Sequence, residues 1–90
     1  MTEQEFEASL LRDGYTPRRA SYPPNHVATE HAHGFDARVM VLEGEITITR
    51  GGKPRTFRPG EWCEVPAGEP HEERVGPQGV SYLGGRRAAS

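Results

Sequence analysis

Three of the four histidines are spaced so that their side chains could share one metal ion. His31 and His33 are two residues apart, so in a strand they would face the same way, with Cα atoms about 6.6 Å apart. His71 follows the turn-forming segment Pro66–Pro70, which would fix its approach from another strand. The pair alone also fits half-buried histidines bonded to backbone, and His71 alone fits a turn cap. Because imidazole is the commonest metal ligand, the three together predict a metal site in a small β-barrel.

The composition is that of a small, turn-rich β protein. The 90 residues include 11 glycines and 8 prolines, and 33% are hydrophobic. Apolar residues alternate regularly from Val39 to Tyr82, which argues against disorder. One domain over residues 1–90 is expected, and a domain of this size buries only about 60% of its unfolded surface. Cys63 is the only cysteine, predicted to be a buried, inert thiol, so metal binding or oligomerisation must supplement the core.

Charge and hydropathy disfavour two classes of partner. The net charge is -2 and the charges are mixed, without the basic stripe that nucleic-acid binding requires. No apolar run approaches the roughly 20 residues that span a bilayer. The acidic N-terminus lacks a signal-peptide pattern, so a cytoplasmic protein is expected.

A short helix is predicted over residues 2–14, followed by a barrel over residues 15–85. Thr2 and Glu5 form a capping-box pattern, and Phe6 and Leu10 give the helix one apolar edge. About three turns are too few for an independent helix. The helix must therefore dock on the barrel or on a neighbouring subunit.

The barrel region divides into about eight short strands with frequent turns. Glu43–Glu45 and Gly76–Gly79 are predicted to be two of these turns, and residues 86–90 a loose tail. Ala37–Leu42 is apolar on both faces, so both faces need cover. We expect a second subunit to cover one of them, in a homodimer that buries Met40 or the Phe6/Leu10 edge.

Two segments resemble the paired motifs of the cupin superfamily. The first motif, G-x5-H-x-H-x3,4-E-x6-G, is partly matched, and the second, G-x5-P-x-G-x2-H-x3-N, almost completely. The matching residues are His31, His33 and Gly44 in the first, and Gly60, Pro66, Gly68 and His71 in the second. The resemblance implies an antiparallel jelly-roll β-barrel and carries over three metal ligands, His31, His33 and His71.

The sequence departs from the motif at its glutamate ligand. That position falls on Ala37 or Arg38, neither of which is a carboxylate. Asp36 would take its place if a bulge turned it inward, and Glu73 shares strand parity with His71 and would then face the cavity. Arg38 is expected at the surface or in an interface, with anion binding at the barrel mouth as its functional alternative.

Three aromatic residues, Phe35, Trp62 and Tyr82, are the other candidates for the pocket. The resemblance implies a divalent ion (iron, zinc, nickel or manganese) and a small polar or anionic molecule. The function is then that of a metal-dependent enzyme, dioxygenase-like or isomerase-like, or of a non-catalytic binding module. A metal-free barrel with relic histidines is the third possibility.

Overall fold

The computed structural model describes residues 1–89 and contains one helix and six antiparallel strands. Their bounds are α1 Glu3–Arg12, β1 Thr16–Tyr22, β2 Val27–His31, β3 Phe35–Arg50, β4 Lys53–Phe57, β5 Trp62–Val65 and β6 His71–Ala88. The hydrogen-bonded order is β1-β6-β3-β4, with β2 also on β6 and β5 also on β3. This confirms the predicted all-β class with a short N-terminal helix, although the ladder over residues 1–89 stays open. In this part of the chain, no helix has the length and apolar character that crossing a membrane requires.

Two predicted turns are bulges inside long strands. Glu43–Glu45 lies within β3, whose pairing with β6 shifts register there, and Gly76–Gly79 lies within β6. Gly44 and Gly79 both have positive φ, and a Cβ on Gly44 would lie 1.9 Å from the Gly79 carbonyl oxygen. Only glycine allows the backbones of Gly44 and Gly79 to lie so close. Strands β3 and β6 therefore both bend at the bulge and remain paired on either side of it. For this reason there are six strands rather than about eight.

The Gly51–Gly52 hairpin joins β3 to β4 as its sequence indicates. Arg50 pairs with Lys53, and the two glycines between them have φ of 55° and 76°. Positive φ at both central residues defines the type I′ turn, whose twist matches that of paired strands.

The chain end differs from the predicted tail. Strand β6 continues to Ala88, which pairs with Phe35, while Arg87 pairs with Asp36. The Arg87 guanidinium also donates to the Asp36 carboxylate at 3.0 Å. The expected tail over 86–90 is therefore strand as far as Ala88, and Ser90 lies outside the described residues.

Inward-facing residues of β3, β4, β5 and β6 build one core inside the sheet. It consists of Val41, Ile46, Ile48, Phe57, Cys63, Val65, Val75 and Val80. Burial raises the pKa of the Cys63 thiol to about 11, consistent with the inert cysteine that was expected.

Helix α1 covers the outer face of β3. Its capping box forms as predicted, and its apolar edge packs on Tyr15, Met40 and Leu83. Phe6 and Leu10 are 0% exposed and Met40 is 1% exposed, so each contributes roughly 1.5–3 kcal/mol of burial free energy. The helix therefore occupies the surface that we expected a second subunit to cover. A homodimer is still a prediction, but its interface would have to be another surface.

Arg38 ties the end of the helix to the sheet. Its guanidinium donates to the Asp13 carboxylate at 2.7 Å and lies 4.4 Å from the centre of the Tyr15 ring. Arg87 packs against the same ring at 4.5 Å and donates to the Asp13 carbonyl at 2.9 Å. The guanidinium of Arg38 thus helps to hold the helix in place.

Candidate metal centre

Three imidazole rings converge at the end of β2. His31 and His71 are paired directly across the β2–β6 ladder, and their ring centroids lie 4.4 Å apart. Strand β2 ends at His31, so His33 is not on the strand as the alternation argument assumed. Its ring nevertheless lies 4.8 Å from that of His31 and 5.1 Å from that of His71.

The two histidine-bearing segments hold each other in place. The Gly68 N–H, in the turn before His71, donates to the His33 carbonyl at 2.8 Å. Gly68 has a φ of 81°, a conformation that favours glycine. This bond fixes the backbone of His33 where the regular strand has ended.

Glu73 adds a carboxylate to the three rings. It lies two residues after His71 on β6, so both side chains point to the same face. The Glu73 Oε1 atom is 3.3 Å from His71 Nε2. One ligand atom from each of His31, His33, His71 and Glu73 lies within 4.8 Å of every other. Glu73 thus supplies, from another strand, the carboxylate that the first motif lacks.

Backbone carbonyls set the tautomers of two histidines. The Nδ1–H of His31 donates to the Thr29 carbonyl at 2.7 Å, and that of His71 donates to the Glu69 carbonyl at 3.0 Å. A carbonyl can only accept, so when either ring is neutral its lone pair is on Nε2. Such bonds from the far ring nitrogen are typical of metal-binding histidines.

His71 is 1% exposed, and no donor among the described residues reaches the lone pair on its Nε2 atom, since the carboxylate of Glu73, 3.3 Å away, can only accept. A buried polar atom of this kind is costly unless something binds it. A metal ion between the rings would satisfy it, so this donor set fits such an ion.

The environment of the third ring, that of His33, favours its neutral form. Burial lowers the pKa of His33, and the nearby His31 and His71 rings lower it further. Only a neutral imidazole can ligate a metal. Phe35 stacks on the His33 ring with centroids 4.6 Å apart and fixes its plane.

The four groups lie at one wall of a cavity of about 250 Å³. Phe35 and Tyr82, two of the predicted pocket residues, line it, together with apolar residues such as Val39 and Ile46. Burial and the neighbouring Tyr22 raise the pKa of Tyr82, so its phenol is protonated at neutral pH. The cavity wall thus combines apolar side chains with the polar histidine cluster.

Two predicted pocket residues lie elsewhere. The Asp36 carboxylate accepts the Ala67 N–H at 2.9 Å and pairs with Arg87, and these contacts lower its pKa. No bulge turns it inward. Trp62 is outside the cavity wall and packs against Phe6, with ring centroids 5.6 Å apart.

The cavity wall also contains three arginines. Arg38 pairs with Asp13, whereas Arg18 and Arg86 have no such role in the sequence motifs. The sequence predicts Arg86 in the loose tail over residues 86–90. Its parity with Tyr82 on one strand is the signal that would have placed it on the inner face.

A sequence profile of the cupin domain family matches residues 18–76. The chain belongs to this family. No curated protein matches the chain.

Solved cupin-like structures share the fold. A protein of unknown function from Rhizobium leguminosarum has a TM-score of 0.77 and 23% identity, with 92% of this chain and 91% of that chain covered. The DMSP lyase DddQ from Ruegeria pomeroyi has a TM-score of 0.73 and 25% identity, with 84% and 39% covered. The polyketide cyclase RemF from Streptomyces resistomycificus has a TM-score of 0.68 and 26% identity, with 80% and 54% covered. This cupin thus spans about two fifths of the length of DddQ and about half of the length of RemF.

Proposed function

We propose that this cupin holds a divalent metal ion with His31, His33, His71 and Glu73, and that the metal centre acts on a small polar or anionic molecule in the cavity. One observation carries the proposal. Within residues 1–89, no hydrogen-bond donor reaches the buried His71 Nε2 atom, which faces a carboxylate and two further imidazoles. Three imidazole rings and one carboxylate are ligands that iron, zinc, nickel and manganese accept.

The four cluster residues would bind the ion, and the other cavity residues would shape the space for the ligand. When bound, such an ion supplies Lewis-acid polarisation or activates water or oxygen. Phe35, Val39 and Ile46 line an apolar wall that keeps water from the ligand. The protonated Tyr82 phenol is a hydrogen-bond donor at neutral pH. Relatives named as a lyase and a polyketide cyclase support an enzyme of this general kind.

A non-catalytic binding module is the second candidate. Apart from the four cluster residues, the cavity wall within residues 1–89 contains no carboxylate and no imidazole. General acid–base catalysis most often relies on such groups. Their scarcity favours a site that holds its ligand without turnover.

Metal analysis of the purified protein tests the site. We expect one metal ion per chain in the wild type and none retained by His31→Ala or His71→Ala. His26→Ala is the matched control, because His26 stacks on Tyr22 and is not one of the four cluster residues. Full metal occupancy in the His31 and His71 variants would refute the proposed ligands.

Turnover separates the two candidates. Oxygen consumption is measured with wild-type protein and His71→Ala across carboxylic acids and thiols. Activity that is lost with the metal supports the enzyme. No oxygen consumption with any compound, while ligands still bind, rules out an oxygenase that uses these compounds and favours the module.

The proposal keeps the homodimer, now without Met40 or the Phe6/Leu10 edge as its interface. Solution mass measured over a range of concentrations tests it. A monomer mass at every concentration would remove it.

A further inference from the structure

Besides Arg38, which pairs with Asp13, two solvent-exposed arginines, Arg18 and Arg86, line the cavity from neighbouring strands. On β6, Arg86 and Gly84 are two residues apart and have the parity of Tyr82, which lines the cavity. On β1, Arg18 pairs with Gly84. Cross-strand partners share a face, so Arg18 and Arg86 are diagonal neighbours on the inner surface, close enough for both side chains to contact one group.

Neither guanidinium is neutralised within the described residues. No carboxylate of residues 1–89 lies within 4.0 Å of a nitrogen of Arg18 or Arg86, whereas the adjacent Arg19 and Arg87 are paired with Glu3 and Asp36. Along each strand, the outward arginine is therefore used in an ion pair and the inward one is not.

Aromatic stacking connects Arg86 to the histidine cluster. Its guanidinium lies 4.6 Å from the centre of the Phe35 ring, and Phe35 stacks on His33. Two ring contacts thus separate this cation from a proposed metal ligand. Contact with a ring face restrains the guanidinium plane and leaves its N–H edge free to donate.

We propose that Arg18 and Arg86 bind a carboxylate at the mouth of the cavity. The ligand is then a small organic acid, whose carboxylate contacts the arginines while a second polar group reaches the histidine cluster. This inference rests on the proposed function for the second contact. A planar guanidinium binds a carboxylate through two parallel hydrogen bonds. The cavity of about 250 Å³ is smaller than sites for drug-sized ligands, which are roughly 300–1,000 Å³, so the acid is small.

Titration calorimetry with succinate and butyrate tests the inference. The two molecules have the same chain length, but butyrate has a methyl group in place of the second carboxylate. Wild-type protein incubated with Zn²⁺ should bind succinate more tightly than butyrate. A hydrogen bond to a charged group contributes about 1.5–3 kcal/mol, so Arg18→Gln or Arg86→Gln should weaken succinate binding at least about tenfold. These variants should also lose the preference for succinate over butyrate.

Arg19→Gln is the matched control. It removes the same charge one residue from Arg18, but from the outer face, where Arg19 pairs with Glu3. It should leave the affinity for succinate unchanged. Equal weakening by Arg19→Gln, or no preference for succinate in the wild type, would overturn the proposal.

Zinc content measured on every sample separates this proposal from the metal site. If zinc is bound and Arg18→Gln and Arg86→Gln bind succinate like the wild type, the arginine site is wrong and the metal site stands. If no zinc is bound but these two variants alone lose succinate binding, the arginine site stands and the metal site is wrong.

Discussion

Replacing His71 with leucine should stabilise the metal-free protein and destabilise the metal-bound protein relative to wild type. In the absence of metal, the buried His71 Nε2 has no hydrogen-bond partner among the described residues. Leucine removes that atom but keeps a side chain in the space. With metal present, the same substitution removes one of four proposed ligands.

The expected changes in stability follow from the contacts of the two ring nitrogens of His71. An unsatisfied buried polar group costs about 1–3 kcal/mol, and the Nδ1–H bond to the Glu69 carbonyl contributes about 0.5–1.5 kcal/mol. Removing both leaves the variant about 1 kcal/mol more stable without metal, a rise in Tm of about 4–8 °C for a domain of this size. Metal at a hundredfold excess over Kd stabilises wild type by about 2.7 kcal/mol, so the order of the two proteins reverses.

Thermal unfolding followed by circular dichroism measures both differences. Melts are recorded in chelator and then in Zn²⁺ at a hundred times the Kd measured for wild type. His26→Leu makes the same substitution outside the cluster, and its response to Zn²⁺ should equal that of wild type. A His71→Leu protein less stable than wild type in chelator, or stabilised equally by Zn²⁺, would refute the reasoning.

Three further predictions concern the fold. Gly44→Ala should lower the free energy of unfolding by at least about 2 kcal/mol, since positive φ alone costs about 1–2 kcal/mol and a Cβ there would clash with backbone. Gly51→Ala should lower the free energy of unfolding by less in the same urea titration, because a Cβ on Gly51 would meet open space. Asp36→Asn should destabilise at neutral pH by removing the pairing with Arg87; because the pKa of Asp36 is lowered, urea titrations should show this difference vanish as the pH falls through that pKa. Cys63, with a pKa of about 11, should react far more slowly with a thiol reagent at pH 8 when folded than in guanidinium.

Much of the site could be predicted because its residues are linked by short spacings. His31 and His33 are close in sequence, and the rigid turn before His71 fixes that residue's approach. Glu73 could be identified as a candidate by its parity with His71, although the motif position for a carboxylate is empty. These inferences require only local geometry.

The errors arose where distant segments decide the structure. A glycine with positive φ serves equally in a turn and in a bulge, and only the pairing of β3 with β6 makes Gly44 and Gly79 bulge residues. Likewise, the apolar outer face at Met40 indicates that something covers it, but not whether α1 or another subunit does so. Because β6 extends to Ala88, Arg86 lies on the inner face of the sheet. A loose tail, as predicted from the sequence, assigns no face to this residue.

The central claim is that three imidazoles and one carboxylate hold one metal ion. Anomalous diffraction at the zinc edge, from crystals of protein reconstituted with one equivalent of Zn²⁺, tests it most directly. We predict one peak per chain, about 2.0–2.2 Å from a nitrogen of each of His31, His33 and His71 and from a carboxylate oxygen of Glu73. A peak at other residues, or none between these rings, would contradict the account.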